Sequence, residues 1–150
     1  MIKPDGSLRV LEFNCRFGDP ETQPIMMRLK SNFVELVDAA IDGRLNEVEA
    51  EWDRRVALGV VMAAANYPDT PRKGDVIHGL PARTDDSHVF HAGTAEKGGA
   101  VVTAGGRVLC VTALGDNVKA AQKRAYEVLD QISFDGMQCR RDIGYRAIKR

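Results

Sequence analysis

From residue 11 to residue 16, apolar and polar residues alternate. Leu11, Phe13 and Cys15 fall on one side of an extended chain, and Glu12, Asn14 and Arg16 on the other. The preceding "PDGS" at residues 4–7 is a turn signal, with Gly6 free to take positive φ. Residues 1–2 and the run "LRVLEFNCR" therefore read as the two arms of a hairpin. An isolated hairpin is marginal in water, so this opening reads as the remnant of a larger sheet.

Helical signals follow. Asp19 is a good N-cap and Pro20 a good first helical residue, while Pro24 interrupts, which predicts a short irregular helix ending near Lys30. Ser31 is placed to cap a second helix whose apolar positions are Phe33, Leu36, Val37, Ala40 and Ile41, stopped by Gly43. Residues 44–55 are polar apart from Trp52 and read as a connection. Beyond it, "VALGVVMAAANYP" starts as a buried strand and ends in a turn, and "VIHGLP" and "HVFHAGT" are short strands. "AVVTAGGRVLCVTALG" reads as a hairpin turning at Gly105-Gly106. Asp116 or Asn117 caps a long helix with the stripe Val118, Ala121, Ala125, Val128, Leu129 and Ile132, and "MQCRRDIG" supplies a last short strand. The predicted fold class is α+β. Residues 1–43 form a strand pair with helices cut from something larger, and residues 56–150 form a lobe with a mostly antiparallel sheet and one long helix.

Composition changes this picture little. Of 150 residues, 44% are hydrophobic and 28% charged, an ordinary globular balance. Basic and acidic residues both total 21, which gives no general electrostatic case for nucleic acid or an anionic membrane as partner. The basic run at residues 139–150 reads as a solvated tail. Three scattered cysteines form no CxxC pair; Cys15 and Cys110 read as small core fillers in a reducing cytoplasm. No apolar run approaches the ~18 residues of a membrane helix, and the N-terminus carries no signal-peptide pattern. His88 and His91 lie three apart on a strand and so face opposite sides. With His78 they read as surface or hydrogen-bonded side chains, not as ligands.

The candidate chemistry lies on the polar side of the first alternating run. Alternate strand residues stand ~6.5 to 7 Å apart and point the same way, so Glu12, Asn14 and Arg16 line one surface. A carboxylate and an amide carbonyl are hard donors suited to Mg²⁺ or Mn²⁺, and a guanidinium forks onto a carboxylate or phosphate. The plain alternative is the wet face of an antiparallel strand. Against it stand Asn14, a poor strand former, and Gly18, which permits close backbone approach.

"EFNCRFGDPETQP" closely resembles the signature of the phosphoribosylamine–glycine ligase (glycinamide ribonucleotide synthetase) family. The Glu12-x-Asn14-x-Arg16 core is shared across the ATP-grasp superfamily, whereas "RFGDPE" is more specific to this ligase. The resemblance continues through "LGVVMAAANYP", "GDVIHGLP", "VFHAGT", "GGRVLCVTALG", "AQKRAY" and "CRRDIGYRA" and spans practically the whole chain. It implies a reaction of purine synthesis: ATP phosphorylates glycine, and 5-phosphoribosylamine attacks the glycyl phosphate, giving glycinamide ribonucleotide, ADP and phosphate. It also implies that Glu12 and Asn14 hold the divalent metal bridging the ATP phosphates. Arg16 would be the catalytic and substrate-binding cation on the acyl phosphate or carboxylate. Asp19 is carried as a substrate-pocket residue, with helix capping an equally good explanation. The family often has glycine where this chain has Asn66, a residue that also tolerates positive φ. Residues 1–43 would be the end of an ATP-grasp domain, 44–55 a connection and 56–150 the C-terminal domain. The chain resembles the last third of such an enzyme. It is therefore expected to need the missing N-terminal part and to be inactive alone. Another ATP-grasp carboxylate–amine ligase and a non-catalytic interaction module are the alternatives.

Overall fold

The fold was obtained as a computed structural model, which describes residues 1–148. Its centre is a four-stranded antiparallel sheet. The strands are β1 (Val56–Ala63), β2 (Ser87–His91), β5 (Arg107–Gly115) and β6 (Gln138–Cys139), in the spatial order β2-β5-β1-β6. A two-stranded ribbon, β3 (Thr94–Lys97) with β4 (Ala100–Thr103), extends from it. The helices are α1 (Thr22–Arg28), α2 (Phe33–Ile41), α3 (Val118–Leu129) and α4 (Tyr145–Ile148).

Register explains which side chains go where. β1 faces β5 in pairs such as Val60↔Val111 and Val61↔Cys110, so even-numbered residues of β1 share one face and odd-numbered ones the other. Leu58, Val60 and Met62 meet Val111 and Ala113 under α3, which turns Ala121, Ala125, Val128 and Leu129 into the same core. Asn117 caps α3, its Oδ1 accepting from the Ala120 N–H at 2.9 Å. The opposite face carries Gly59 and Cys110, and there α1 closes on the sheet. A Cβ at Gly59 would stand 3.1 Å from Cys110 Sγ and 3.2 Å from Pro24 Cγ, so the bare glycine lets the helix approach. Strand β6 rejoins the sheet at the edge of β1, as expected from "MQCRRDIG".

Several expectations need correction. The hairpin does not turn at Gly105-Gly106. β4 pairs with β3, and β5 pairs with β1 and β2. The reversal lies at Gly98-Gly99, which take φ of 59° and 78°, the double positive φ that a two-residue hairpin turn demands. The run expected as a strand from Leu8 makes one bridge, Ile2↔Leu8, and residues 9–15 join no ladder. The turn at residues 4–7 does form, with the Lys3 N–H donating to Ser7 O at 3.0 Å and the Gly6 N–H to Lys3 O at 2.9 Å. Among the described residues no third strand lies beside it, and Cys15, expected as a core filler, is exposed; Cys110 is buried as expected. "VIHGLP" contributes isolated bridges, Val76↔Val102 and His78↔Ser133, in place of a strand.

The caps also moved. Asn32 and not Ser31 caps α2, accepting from the Val34 N–H at 3.0 Å, because Ser31 Oγ accepts the Glu51 N–H at 2.7 Å. The basic tail is strapped down as far as it is described. The Tyr126 hydroxyl donates to Arg140 O at 2.8 Å and accepts from the Ile143 N–H at 3.1 Å, and Arg141 pairs with Asp130. Residues 149–150 of that tail lie outside the described residues. Among the described residues, no helix is long and apolar enough to cross a membrane.

The connection is laced to α1. The Asp53 N–H donates to Arg28 O at 2.7 Å, and the Arg28 guanidinium donates to Asp53 O at 3.0 and 3.1 Å. The Asp53 carboxylate in turn accepts from the Arg55 side chain and backbone, which hold it well below the usual carboxylate range. A depressed native pKa adds stability above the unfolded value of about 3.9, and that stability is lost as pH falls through the native value. Asp53→Asn is therefore expected to lower Tm at pH 7, with the gap to the parent narrowing below about pH 4. A gap that ignores pH in thermal scans would show that the ion pair is not its source.

Candidate functional site

The polar triad is assembled as a ladder. The Asn14 Nδ2 donates to Glu12 Oε1 at 3.1 Å, and Arg16 Nη2 donates to Asn14 Oδ1 at 2.9 Å. Arg16 Nη1 donates to Phe17 O at 2.7 Å, which bends the guanidinium back over the start of the next turn. All three side chains face solvent. Two hydrogen bonds leave the Arg16 fork with further donors for a planar anion. The extended backbone puts the three on one side even without ladder partners, and Phe17 anchors the segment edge-on against Phe33 of α2, ring centroids 5.4 Å apart.

The donor set fits a hard divalent cation. Glu12 and Asn14 offer a carboxylate and an amide oxygen, side by side and open to solvent. Among the described residues, no group of three or more His, Cys, Asp or Glu side chains could hold a metal. A dedicated protein cage is thus absent there. Mg²⁺ needs no such cage, since one or two carboxylates plus water and substrate phosphates complete its octahedron.

Asp19 lies elsewhere in this arrangement. It does not cap α1, whose N-cap residue is Glu21, preceding Thr22. Its Oδ2 is 3.0 Å from Arg107 Nη2 at the start of β5. The helix begins only at Thr22, three residues on, so Asp19 is not at the capping position and its carboxylate is left for Arg107. The Asp19 charge also reaches Cys110. Burial pushes that thiol's pKa up and Asp19 adds to the shift, so Cys110 is an inert core residue. Arg107 was not singled out in the sequence, where it is the second half of "GGRV". The available signal was a cation placed directly after two glycines and before an apolar strand.

Two hollows open on the sheet. One, of about 330 Å³, lies at its β6 edge and is lined by Val61, Ala63, Tyr67, Arg107, Gln138 and Arg140 among others. The larger, of about 580 Å³, lies between α1 and the connection beside Trp52, Arg54 and Arg55. None of Glu12, Asn14, Arg16 and Asp19 lines either; Asp19 reaches the first only through Arg107. Asn66 takes φ of 65° in the turn that presents Tyr67, as its tolerance for positive φ allows. The histidines form no cluster. His91 Nδ1 lies 3.1 Å from Thr94 Oγ1, while the buried His88 Nδ1 has no partner, its ring packed edge-on against Phe90 at 4.6 Å. Burial lowers the His88 pKa, with Arg83 and His91 adding.

Comparison with known proteins places the chain as a whole. The chain is 64% identical over 150 residues to the phosphoribosylamine–glycine ligase of Ralstonia nicotianae, covering all of this chain and 36% of that protein. It is 60% identical to the enzyme of the same name from Vibrio vulnificus, again over the whole chain and 35% of the relative. The crystal structure of phosphoribosylamine–glycine ligase from Thermotoga maritima superposes with a TM-score of 0.76 at 41% identity, covering 93% of this chain and 34% of that one. The chain thus spans about a third of the length of the relatives it matches. Residues 57–146, the sheet with α3 and the start of the tail, match the family model described as "Phosphoribosylglycinamide synthetase, C domain", and the chain belongs to that family.

Proposed function

We propose that this chain forms the carboxyl-terminal part of an ATP-dependent ligase. That ligase would join glycine to 5-phosphoribosylamine through glycyl phosphate, giving glycinamide ribonucleotide, ADP and phosphate. The observation that carries this reading is the Glu12–Asn14–Arg16 ladder, open to solvent and followed by the "GDPE" turn. In this reading Glu12 and Asn14 hold Mg²⁺ or Mn²⁺, which when bound would offset the charge of the ATP phosphates. Arg16 directs its free donors at the glycyl carboxylate or acyl phosphate, where negative charge gathers. Asp19, held by Arg107, is carried as a substrate-pocket residue.

Residues 1–43 would complete an ATP-grasp domain, 44–55 connect, and 56–150 close the site as the C-terminal domain. The match of residues 57–146 to the family's C domain supports that division. The partner would be the remaining part of the same ligase. Leu8, Leu11 and Phe13, exposed at 76%, 74% and 83%, are the apolar surface it would cover.

The test is a graft of this chain in place of the matching segment of one of its relatives. The grafted ligase is expected to form glycinamide ribonucleotide with ATP and glycine, while the isolated chain turns nothing over. Preference for another carboxylic acid over glycine would instead assign a different carboxylate–amine ligase. Turnover by the isolated chain would overturn the partner requirement.

A further inference from the structure

We infer that Arg107 is a positioning residue, whose guanidinium fixes Asp19 and through it the turn that follows the polar triad. The inference rests on the ligase reading for its functional consequence, but its geometry stands apart from that reading.

Two irregularities of the sheet converge on Arg107. The β2–β5 ladder runs to His91↔Leu109 and continues with the Ala92 N–H on Val108 O and the Gly93 N–H on Arg107 O, at 3.0 and 2.9 Å. The next pair is Thr94↔Thr103, so residues 104–106 have no counterpart on the facing strand. They bulge out, the Ala104 and Gly105 N–H groups both donating to Gly93 O at 2.7 and 3.1 Å. On the other side, the β1–β5 register shifts between Met62 and Ala63, setting Arg107 opposite Ala63. Bulges re-aim side chains and are common beside active sites.

The bulge is closely packed. A Cβ on Gly106 would stand 2.7 Å from the Tyr67 ring, and one on Gly93 2.7 Å from Gly105 Cα. The result is a guanidinium delivered to Asp19 at 3.0 Å. Both side chains are about half exposed, and such a pair contributes little to stability. Stability alone does not call for two register breaks. Fixing a turn does, because it sits three residues beyond Arg16 and a misplacement of about 1 Å in a catalytic group costs on the order of 10²-fold in rate.

The test has two arms. In the isolated chain, Arg107→Ala is expected to lower the backbone ¹⁵N order parameters of residues 17–19 from the rigid range of about 0.85 to below about 0.6, with Arg107→Lys near the parent. Unchanged order parameters in Arg107→Ala would overturn the inference. In the grafted ligase, Arg107→Ala is expected to lower kcat/KM by roughly 10- to 100-fold with Tm unchanged, and Arg107→Lys to recover most of it. Because Arg107 acts through Asp19, adding Arg107→Ala to Asp19→Ala should cost less than about twofold more. Losses that multiply, a loss that tracks Tm, or an Arg107→Ala enzyme equal to the parent would each overturn it. A graft inactive with Arg107 in place would count against the ligase reading, and the order parameters of the isolated chain would still decide the positioning.

Discussion

Glu12→Gln in the grafted ligase is expected to lower metal-dependent turnover by roughly 10²-fold, about 2.7 kcal/mol of transition-state stabilisation. The substitution is nearly isosteric, and the glutamine carbonyl can still accept the Asn14 Nδ2–H that Glu12 Oε1 accepts at 3.1 Å. What it removes is charge. A neutral amide is a much poorer ligand for Mg²⁺ than a carboxylate, so the concentration of Mg²⁺ giving half-maximal rate should rise with the loss of rate. Glu12 is exposed and outside any ladder, so urea unfolding of the isolated chain should move by no more than about 0.5 kcal/mol. Steady-state rates across a Mg²⁺ series check both parts. An unchanged rate with unchanged metal dependence would remove Glu12 from the site and take the metal assignment with it.

The residues differ in how openly the sequence displays their roles. α3 was legible, because its stripe repeats at helical spacing, although the cap was open between Asp116 and Asn117 and the stripe ran on to Ile132, past the helix end at Leu129. β1 and β5 were legible as strands because both are long apolar runs. Their partners were not. Two Gly-Gly pairs compete for one hairpin, and local pattern ranks Gly105-Gly106 first because better strand formers flank it. The sheet decides otherwise: β5 gains partners on both edges when the chain reverses at Gly98-Gly99 and bulges at residues 104–106. The Glu12–Asn14–Arg16 face was legible from alternation alone, since side-chain parity along an extended chain needs no neighbour. The destination of Asp19 was not. Capping is a local preference visible in "GDPE", whereas its partner Arg107 lies 88 positions away and is reached only through the register of β5. Cys15 and Ser31 failed for the same reason. Each was assigned from adjacent residues, whereas the outcome lay with distant ones: among the described residues no strand covers Cys15, and the Glu51 N–H takes Ser31 Oγ.

Leu129→Ala is expected to destabilise the isolated chain by about 3 kcal/mol, and Leu11→Ala by no more than about 0.5 kcal/mol. The chemistry deleted is the same, so the difference measures environment. Leu129 is fully buried at the end of α3, in one core with Met62, Leu109 and Val128; Leu11 is 74% exposed. Removing the Leu129 side chain forfeits its transfer free energy and leaves a cavity that a close-packed interior fills only in part. For a chain of 150 residues this corresponds to a fall in Tm of roughly 6–12 °C. In the grafted ligase the contrast should shrink. If the rest of the enzyme covers residues 8–13, Leu11 becomes a buried leucine there, and Leu11→Ala should cost on the order of 2 kcal/mol or more. Urea titrations of both variants in both settings separate the two environments. A Leu11→Ala that stays silent in the grafted enzyme would mean that this apolar side faces water there too, leaving the alternation at residues 11–16 without a buried face to explain it.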